Sequence, residues 1–260
     1  MTRVITSRQH PQVKELLKLS QRKQRLRQGL FLAEGLRLVE EGLAAGWTPE
    51  KVVVSPPLLS AGAGAAVARW GFPQLELSPE LMALAGDTET SQGLLALFAL
   101  PKYRPEDFTG DLALVLDGVR DPGNAGSLLR GAAATGLAGL IATVGSVDLS
   151  GPKVVRASMG GVFRVPWVTD ISPEKVVDWA REGGWQLVAL DPRGGIPFHR
   201  FPYEGKLALV VGSEARGIGM EIGAACRAAV TIPMPGGLES LNAAMAATLV
   251  LYQAMIYRGL

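Results

Sequence analysis

One cysteine, Cys226, stands among 260 residues, so the chain cannot close an internal disulfide. Only two histidines accompany it, which leaves too few ligands for a Cys/His zinc site and implies no metal. A chain without disulfides fits a reducing compartment, and a cytoplasmic setting is the expectation. No apolar stretch of signal-peptide length occurs in MTRVITSRQHPQVKELL, which argues against secretion. The longest uncharged run, Leu241 to Tyr257, carries Asn242, Thr248 and Gln253 and falls short of about 20 residues. It is Ala-rich, which suits a buried or subunit-facing helix better than a membrane span. Also missing are the dinucleotide fingerprint G-x-G-x-x-G and a Walker lysine: Gly212, Gly217 and Gly219 have the wrong spacing. A Rossmann-type oxidoreductase is therefore a poor reading.

What is present is a sequence 48% hydrophobic and 19% charged, a globular composition of a length that fits one large domain or two ordinary ones. Gly and Pro together make up about a fifth of the residues without a collagen-like period, consistent with many tight turns. Charge is distributed unevenly. Residues 1–30 hold Arg3, Arg8, Lys14, Lys18, Arg22, Lys23, Arg25 and Arg27 against Glu15 alone, so the rest of the chain must be net acidic for the total to reach +2. On a continuous helix Lys14, Lys18, Arg22 and Arg25 would share one face, suited to the phosphates of RNA. An ordinary solvated face is the alternative.

Residues 30–100 alternate short apolar strands with helical patterns, and the polar stretch PKYRPEDFTGD, 101–111, reads as a linker. From residue 112 a new βα series begins. Strands are expected at Leu112 to Leu116, Gly139 to Val144, Val162 to Val168, Gln186 to Leu190, Lys206 to Val211 and Ala229 to Pro233, with helices over 125–135, 173–182 and 240–258. Continuous apolar strands separated by helices predict an α/β fold with a parallel sheet covered on both faces. Ligands bind such sheets at the loops beyond the strands' carboxyl ends.

Three of those loops carry chemistry. The first, 116–126, ends in a Pro-Gly turn with Asn124 where a helix cap is expected and Arg130 on the helix that follows. The second runs Gly212-Ser213-Glu214-Ala215-Arg216-Gly217, where glycine after a buried strand admits close approach to the backbone. The third, Ile232-Pro233-Met234 to Ser240-Leu241-Asn242, opens the last helix. Capping and turn formation account for each taken singly. Together and in this order, N-x-G-x-x-x-R, G-S-E-x-x-G and I-P-M…S-L-N resemble the three signature motifs of the SpoU (TrmH) family of RNA ribose 2′-O-methyltransferases. The resemblance covers residues 112–258, with Arg156-Ala157-Ser158-Met159-Gly160-Gly161-Val162-Phe163-Arg164-Val165-Pro166 fitting as well. The stretch FLAEGLRLVEEGL resembles the L30e-like substrate-binding domain often attached to this family.

The resemblance implies a basic segment and an L30e-like RNA-binding domain over 1–100, and a SPOUT methyltransferase domain with a trefoil knot over 112–260. It implies S-adenosylmethionine as cofactor, a homodimer, and contacts to the cofactor near Leu190, Gly212, Ile232 and Leu241. Arg130 then stands at the catalytic step. Because guanidinium stays protonated, pairing with a phosphate beside the target ribose suits it better than acting as base. Asn124, Glu214 and Asn242 form a hydrogen-bonding frame and Ser240 orients the ribose. Ribosomal RNA is the favoured substrate. Transfer RNA is the alternative, and a non-catalytic RNA-binding protein a further one.

Overall fold

The computed structural model describes residues 4–259, so Arg3 of the basic segment lies outside them. The chain divides into two compact units, Met1–Leu100 with Ser150–Phe163, and Pro101–Leu149 with Arg164–Leu260.

The first unit begins with α1 (Pro11–Lys18) and α2 (Arg22–Gln28). Then follow β1 (Leu30–Glu34), α3 (Leu36–Ala44), β2 (Lys51–Val54), α4 (Ala61–Trp70), β3 (Gln74–Glu76), α5 (Pro79–Ala85) and β4 (Leu94–Ala99). The sheet order is β1-β4-β2-β3, with β4 antiparallel to both neighbours and β2 parallel to β3. Ser60 and Ser78 cap α4 and α5 by accepting the backbone N–H three residues on. Val13, Leu16 and Leu19 are buried with Leu32, Val53, Leu75 and Leu95, so the basic segment is anchored through its apolar residues.

The basic face expected there is not formed. The helix is interrupted at Leu19–Gln21, so Lys14 and Lys18 lie on α1 while Arg22 and Arg25 lie on α2. Arg25 is only 3% exposed: it donates to the Leu19 carbonyl (2.7 Å), the Ser20 carbonyl (3.0 Å) and Ser150 Oγ (3.2 Å). Its role is to satisfy the carbonyls left open at the end of α1, a structural task for a five-donor side chain. Lys14 is exposed, and Lys18 pairs with Glu15 at 2.6 Å.

The second unit contains β5 (Leu112–Asp117), α6 (Pro122–Ala134), β6 (Gly139–Thr143), then, after an excursion of the chain, β7 (Trp167–Ile171). That excursion, Ser150–Phe163, holds α7 (Pro152–Ala157) and belongs to the first unit. The second unit continues with α8 (Pro173–Gly183), β8 (Gln186–Leu190), β9 (Ile196–Pro197), β10 (Leu207–Gly212), α9 (Met220–Ala225), β11 (Ala228–Thr231) and α10 (Ala243–Tyr257). Its seven strands run β7-β6-β5-β10-β8-β11-β9, and every adjacent pair is parallel. The predicted α/β class with a parallel sheet is present.

Two sequence boundaries shift for one reason, that apolar residues go where a core needs them. The stretch 101–111 is not a free linker: Phe108 is buried in the second unit's core, 6.1 Å edge-on to Trp179, whose Nε1 donates to the Pro105 carbonyl at 3.0 Å. The apolar run 162–168, expected as one strand, serves two cores. Val162 and Phe163 form a buried turn in the first unit, where the Phe163 ring packs on Phe31, Trp47 and Phe98 and its carbonyl accepts from Trp47 Nε1 at 2.8 Å. Pro166 separates that turn from β7, which starts only at Trp167.

Helix α10 packs one face inward through Ala244, Ala247, Val250, Leu251 and Ala254. Thr248 sits against α6 where a Cβ on Gly131 would lie 2.7 Å from its Oγ1, so the small residue lets the two helices approach closely. The opposite face leaves Met245, Leu249, Tyr252 and Ile256 between 40% and 60% exposed. No helix among the described residues is long and apolar enough to cross a membrane.

Candidate functional site

The carboxyl ends of β8, β10 and β11 open onto a cavity of about 540 Å³, within the range that holds a cofactor-sized ligand. Leu190 and Asp191 line it from β8, Val211 to Ile218 from β10, Ile232 and Met234 from β11, and Ser240 to Ala243 from the start of α10. The four positions expected to contact a cofactor, Leu190, Gly212, Ile232 and Leu241, therefore line the same cavity. Glu214, Ser240 and Asn242 line it as well.

A directed chain of hydrogen bonds ties the three loops together. Asn242 caps α10, its Oδ1 accepting from Ala244 N (3.0 Å) and Met245 N (3.2 Å). Helix-end N–H groups can only donate, so Asn242 must turn its amide nitrogen outward, and Nδ2 donates to Asn124 Oδ1 at 2.7 Å. Asn124 Nδ2 in turn donates to the Glu214 carboxylate. Each amide orientation is thus set by the one before it. Asn124 itself is not the helix cap: Asp121 caps α6 by accepting Asn124 N at 2.7 Å, which frees the Asn124 side chain for the link. Asn124 is buried, so its polar atoms need these partners.

Gly212 lines the cavity, and its lack of a side chain has a steric reason within the protein itself. A Cβ there would lie 2.2 Å from the Gly217 carbonyl carbon and 2.3 Å from Ile218 N, because the chain folds back over it. Ser213 and Gly217 close that hairpin with two backbone bonds, 3.0 and 2.8 Å, and Gly217 takes φ +71°. The glycine is needed for close approach of the protein's own backbone, and the resulting hairpin presents Glu214 and Arg216 to the cavity.

Arg130 lies outside this cavity's lining, on the exposed side of α6, with no hydrogen bond or ion pair among the described residues. Ser240 Oγ likewise has no partner there. Both are available to a substrate. Asp117 and Asp191 were not singled out by sequence. Asp117 ends β5 and is 9% exposed; its carboxylate accepts Gly219 N at 2.6 Å and Thr143 Oγ1 at 3.0 Å, so it fixes the far end of the hairpin loop. An acid closing an otherwise apolar strand was the available signal. Asp191 receives Arg193 Nε (3.0 Å) and Nη2 (2.8 Å), a pairing that holds its carboxyl below the usual range. Among the described residues no cluster of three or more His, Cys, Asp or Glu could hold a metal ion.

Residues 111–252 match the SpoU rRNA Methylase family, and residues 10–96 the MRM3-like substrate binding domain. The chain is 32% identical to the 23S rRNA (uridine(2479)-2′-O)-methyltransferase of Streptomyces viridochromogenes, over 92% of this chain and 87% of that protein. It is 29% identical to the 23S rRNA (guanosine(2553)-2′-O)-methyltransferase RlmP of Bacillus subtilis, over 95% and 97%. The crystal structure of the SpoU methyltransferase AviRb from S. viridochromogenes in complex with AdoMet superposes with a TM-score of 0.87 at 30% identity, covering 96% of this chain and 98% of that one. With the three motif loops tied by hydrogen bonds, two of them lining the cavity, and the match extending over more than half its length, this chain belongs to the SpoU rRNA methylase family.

Proposed function

We propose that this protein transfers a methyl group from S-adenosylmethionine to a ribose 2′-hydroxyl of ribosomal RNA. The carrying observation is the Asn242–Asn124–Glu214 chain, in which Asn124 ties together the two motif loops that line a cavity of cofactor size. Relatives named for 23S rRNA and a neighbour solved with AdoMet support the substrate class and the cofactor.

When bound, the cofactor would supply an electrophilic sulfonium methyl for the ribose hydroxyl oxygen, whose proton would pass to solvent. The protein's own part is alignment. The frame of Asn124, Glu214 and Asn242 fixes the loops, and the free hydroxyl of Ser240 at the cavity wall orients the ribose. Unpaired Arg130 holds the neighbouring phosphate and stabilises alkoxide character as the proton leaves. Exposed Lys14, with Lys18 and Arg22, is retained as an RNA-contacting set, without Arg25.

A second copy completes the molecule in this reading. Met245, Leu249, Tyr252 and Ile256 recur at steps of four, three and four along α10, an apolar seam with coiled-coil spacing. A dimer should sediment as such at micromolar concentration and fall to monomer in a Leu249→Glu/Ile256→Glu variant. The trefoil knot and a cytoplasmic setting rest on the family likeness.

Calorimetry with S-adenosylhomocysteine, followed by mapping of tritiated methyl groups in total RNA, tests the reading. Saturable binding and label in a ribosomal 2′-O-methylnucleotide are expected. Label confined to transfer RNA would move the substrate, and absence of cofactor binding would leave only an RNA-binding protein.

A further inference from the structure

Two arginines line the cavity, and their situations differ. The guanidinium of Arg193 is engaged with the Asp191 carboxylate through two hydrogen bonds. Arg216 has an exposed guanidinium that makes no ion pair or hydrogen bond among the described residues. Its backbone, by contrast, is held. Arg216 N donates to Ser213 Oγ at 3.1 Å inside the hairpin closed by Ser213 and Gly217. The acid nearest in sequence, Glu214, is already committed to Asn124. A fixed hairpin therefore carries a full, unneutralised charge to the rim of the pocket that also holds Ser240 and Asn242.

Resting on the proposed function, we infer that Arg216 grips the phosphodiester 3′ to the target ribose. The 2′-hydroxyl stands on the carbon next to the one bearing that phosphodiester, so seating the hydroxyl at the cavity mouth brings an anion to the rim. Guanidinium suits it: the planar fork binds two phosphate oxygens at once and never loses its charge. A rigid backbone below a flexible side chain lets the contact form without reordering the loop. Arg216 then acts together with Arg130, from helix α6, to fix which hydroxyl of the strand faces the methyl donor.

The experiment compares wild type, Arg216→Ala and Arg216→Lys on in vitro-transcribed 23S rRNA, with S-adenosylhomocysteine affinity measured separately. Arg216→Ala should raise KM for RNA about tenfold, the loss expected for one charge-assisted contact, with kcat within about threefold. The slope of log affinity against log salt should become shallower by about 0.7–0.9, one phosphate fewer. Cofactor affinity should stay within about twofold, and Arg216→Lys should restore the salt slope but only part of KM. Unchanged KM and slope in Arg216→Ala overturn the inference. Weakened S-adenosylhomocysteine binding with an unchanged slope also overturns it, because the guanidinium then serves the cofactor's carboxylate. If wild type itself transfers no methyl group to rRNA, it is the proposed function that fails.

Discussion

The polarity of the Asn242–Asn124–Glu214 chain can be reversed by design. Asn242→Asp keeps the α10 cap, since the carboxylate still accepts Ala244 N and Met245 N, and gains about 0.3–1 kcal/mol from the positive helix end. Its second oxygen, however, then faces Asn124 Oδ1 across a 2.7 Å gap where a donor used to be. If Asn124 flips to offer Nδ2, its Oδ1 meets the Glu214 carboxylate instead. Either way one bond is lost at a buried amide, costing about 1–3 kcal/mol, so the net destabilisation should be about 1–2 kcal/mol. Glu214→Gln alone should be mild, because a side-chain carbonyl still accepts from Asn124. Combined, the two changes allow every bond to run backwards: the glutamine amide donates to Asn124 Oδ1, and Asn124 Nδ2 donates to the new carboxylate. The double variant should therefore regain about 1 kcal/mol over the sum of the singles in urea unfolding, and recover S-adenosylhomocysteine affinity lost by Asn242→Asp. Additivity within about 0.5 kcal/mol would refute the directed chain.

Further outcomes follow from single positions. Gly212→Ala must push Gly217 and Ile218 away from a contact of 2.2 Å, so stability should drop by about 1–3 kcal/mol and S-adenosylhomocysteine affinity at least about tenfold, measured by calorimetry. Gly139→Ala meets the Phe108 ring at 2.4 Å, far from the cavity lining; it should cost a similar stability and leave cofactor affinity unchanged. Arg130→Ala breaks no internal bond, so melting should shift little, within about 0.5 kcal/mol, while methyl transfer falls about a hundredfold at unchanged cofactor affinity. Burial, with Asp117 nearby adding to it, pushes the Cys226 thiol up to about 11 from 9.0. At pH 8 the folded protein should react with iodoacetamide about a hundredfold more slowly than the urea-unfolded chain. The sign for stability follows: the unfolded thiol ionises first, so this contribution is intact below about pH 9 and is lost as pH rises towards 11.

Periodicity in the sequence determined most of the local structure. Gln186–Leu190 is a strand as expected, β5, β6, β10 and β11 lie within two residues of the expected bounds, and α6, α8 and α10 form where the helical patterns ran. Such elements are written in alternation and caps, which act over a few residues. The three motif loops were legible for a related reason, because each is a short stretch whose residue types are visible in order. Sequence could not show which core an apolar residue joins. Phe108 looked like linker, and Val162 and Phe163 looked like strand, because burial depends on partners distant along the chain. Arg25 carries the same charge as Lys14, yet it is buried among carbonyls while Lys14 meets solvent; only the turn between α1 and α2 made that distinction. The direction of the Asn242–Asn124–Glu214 chain is also a tertiary property. Its two links join residues 118 and 90 positions apart, and its sense is set by helix N–H groups that exist only once α10 has formed.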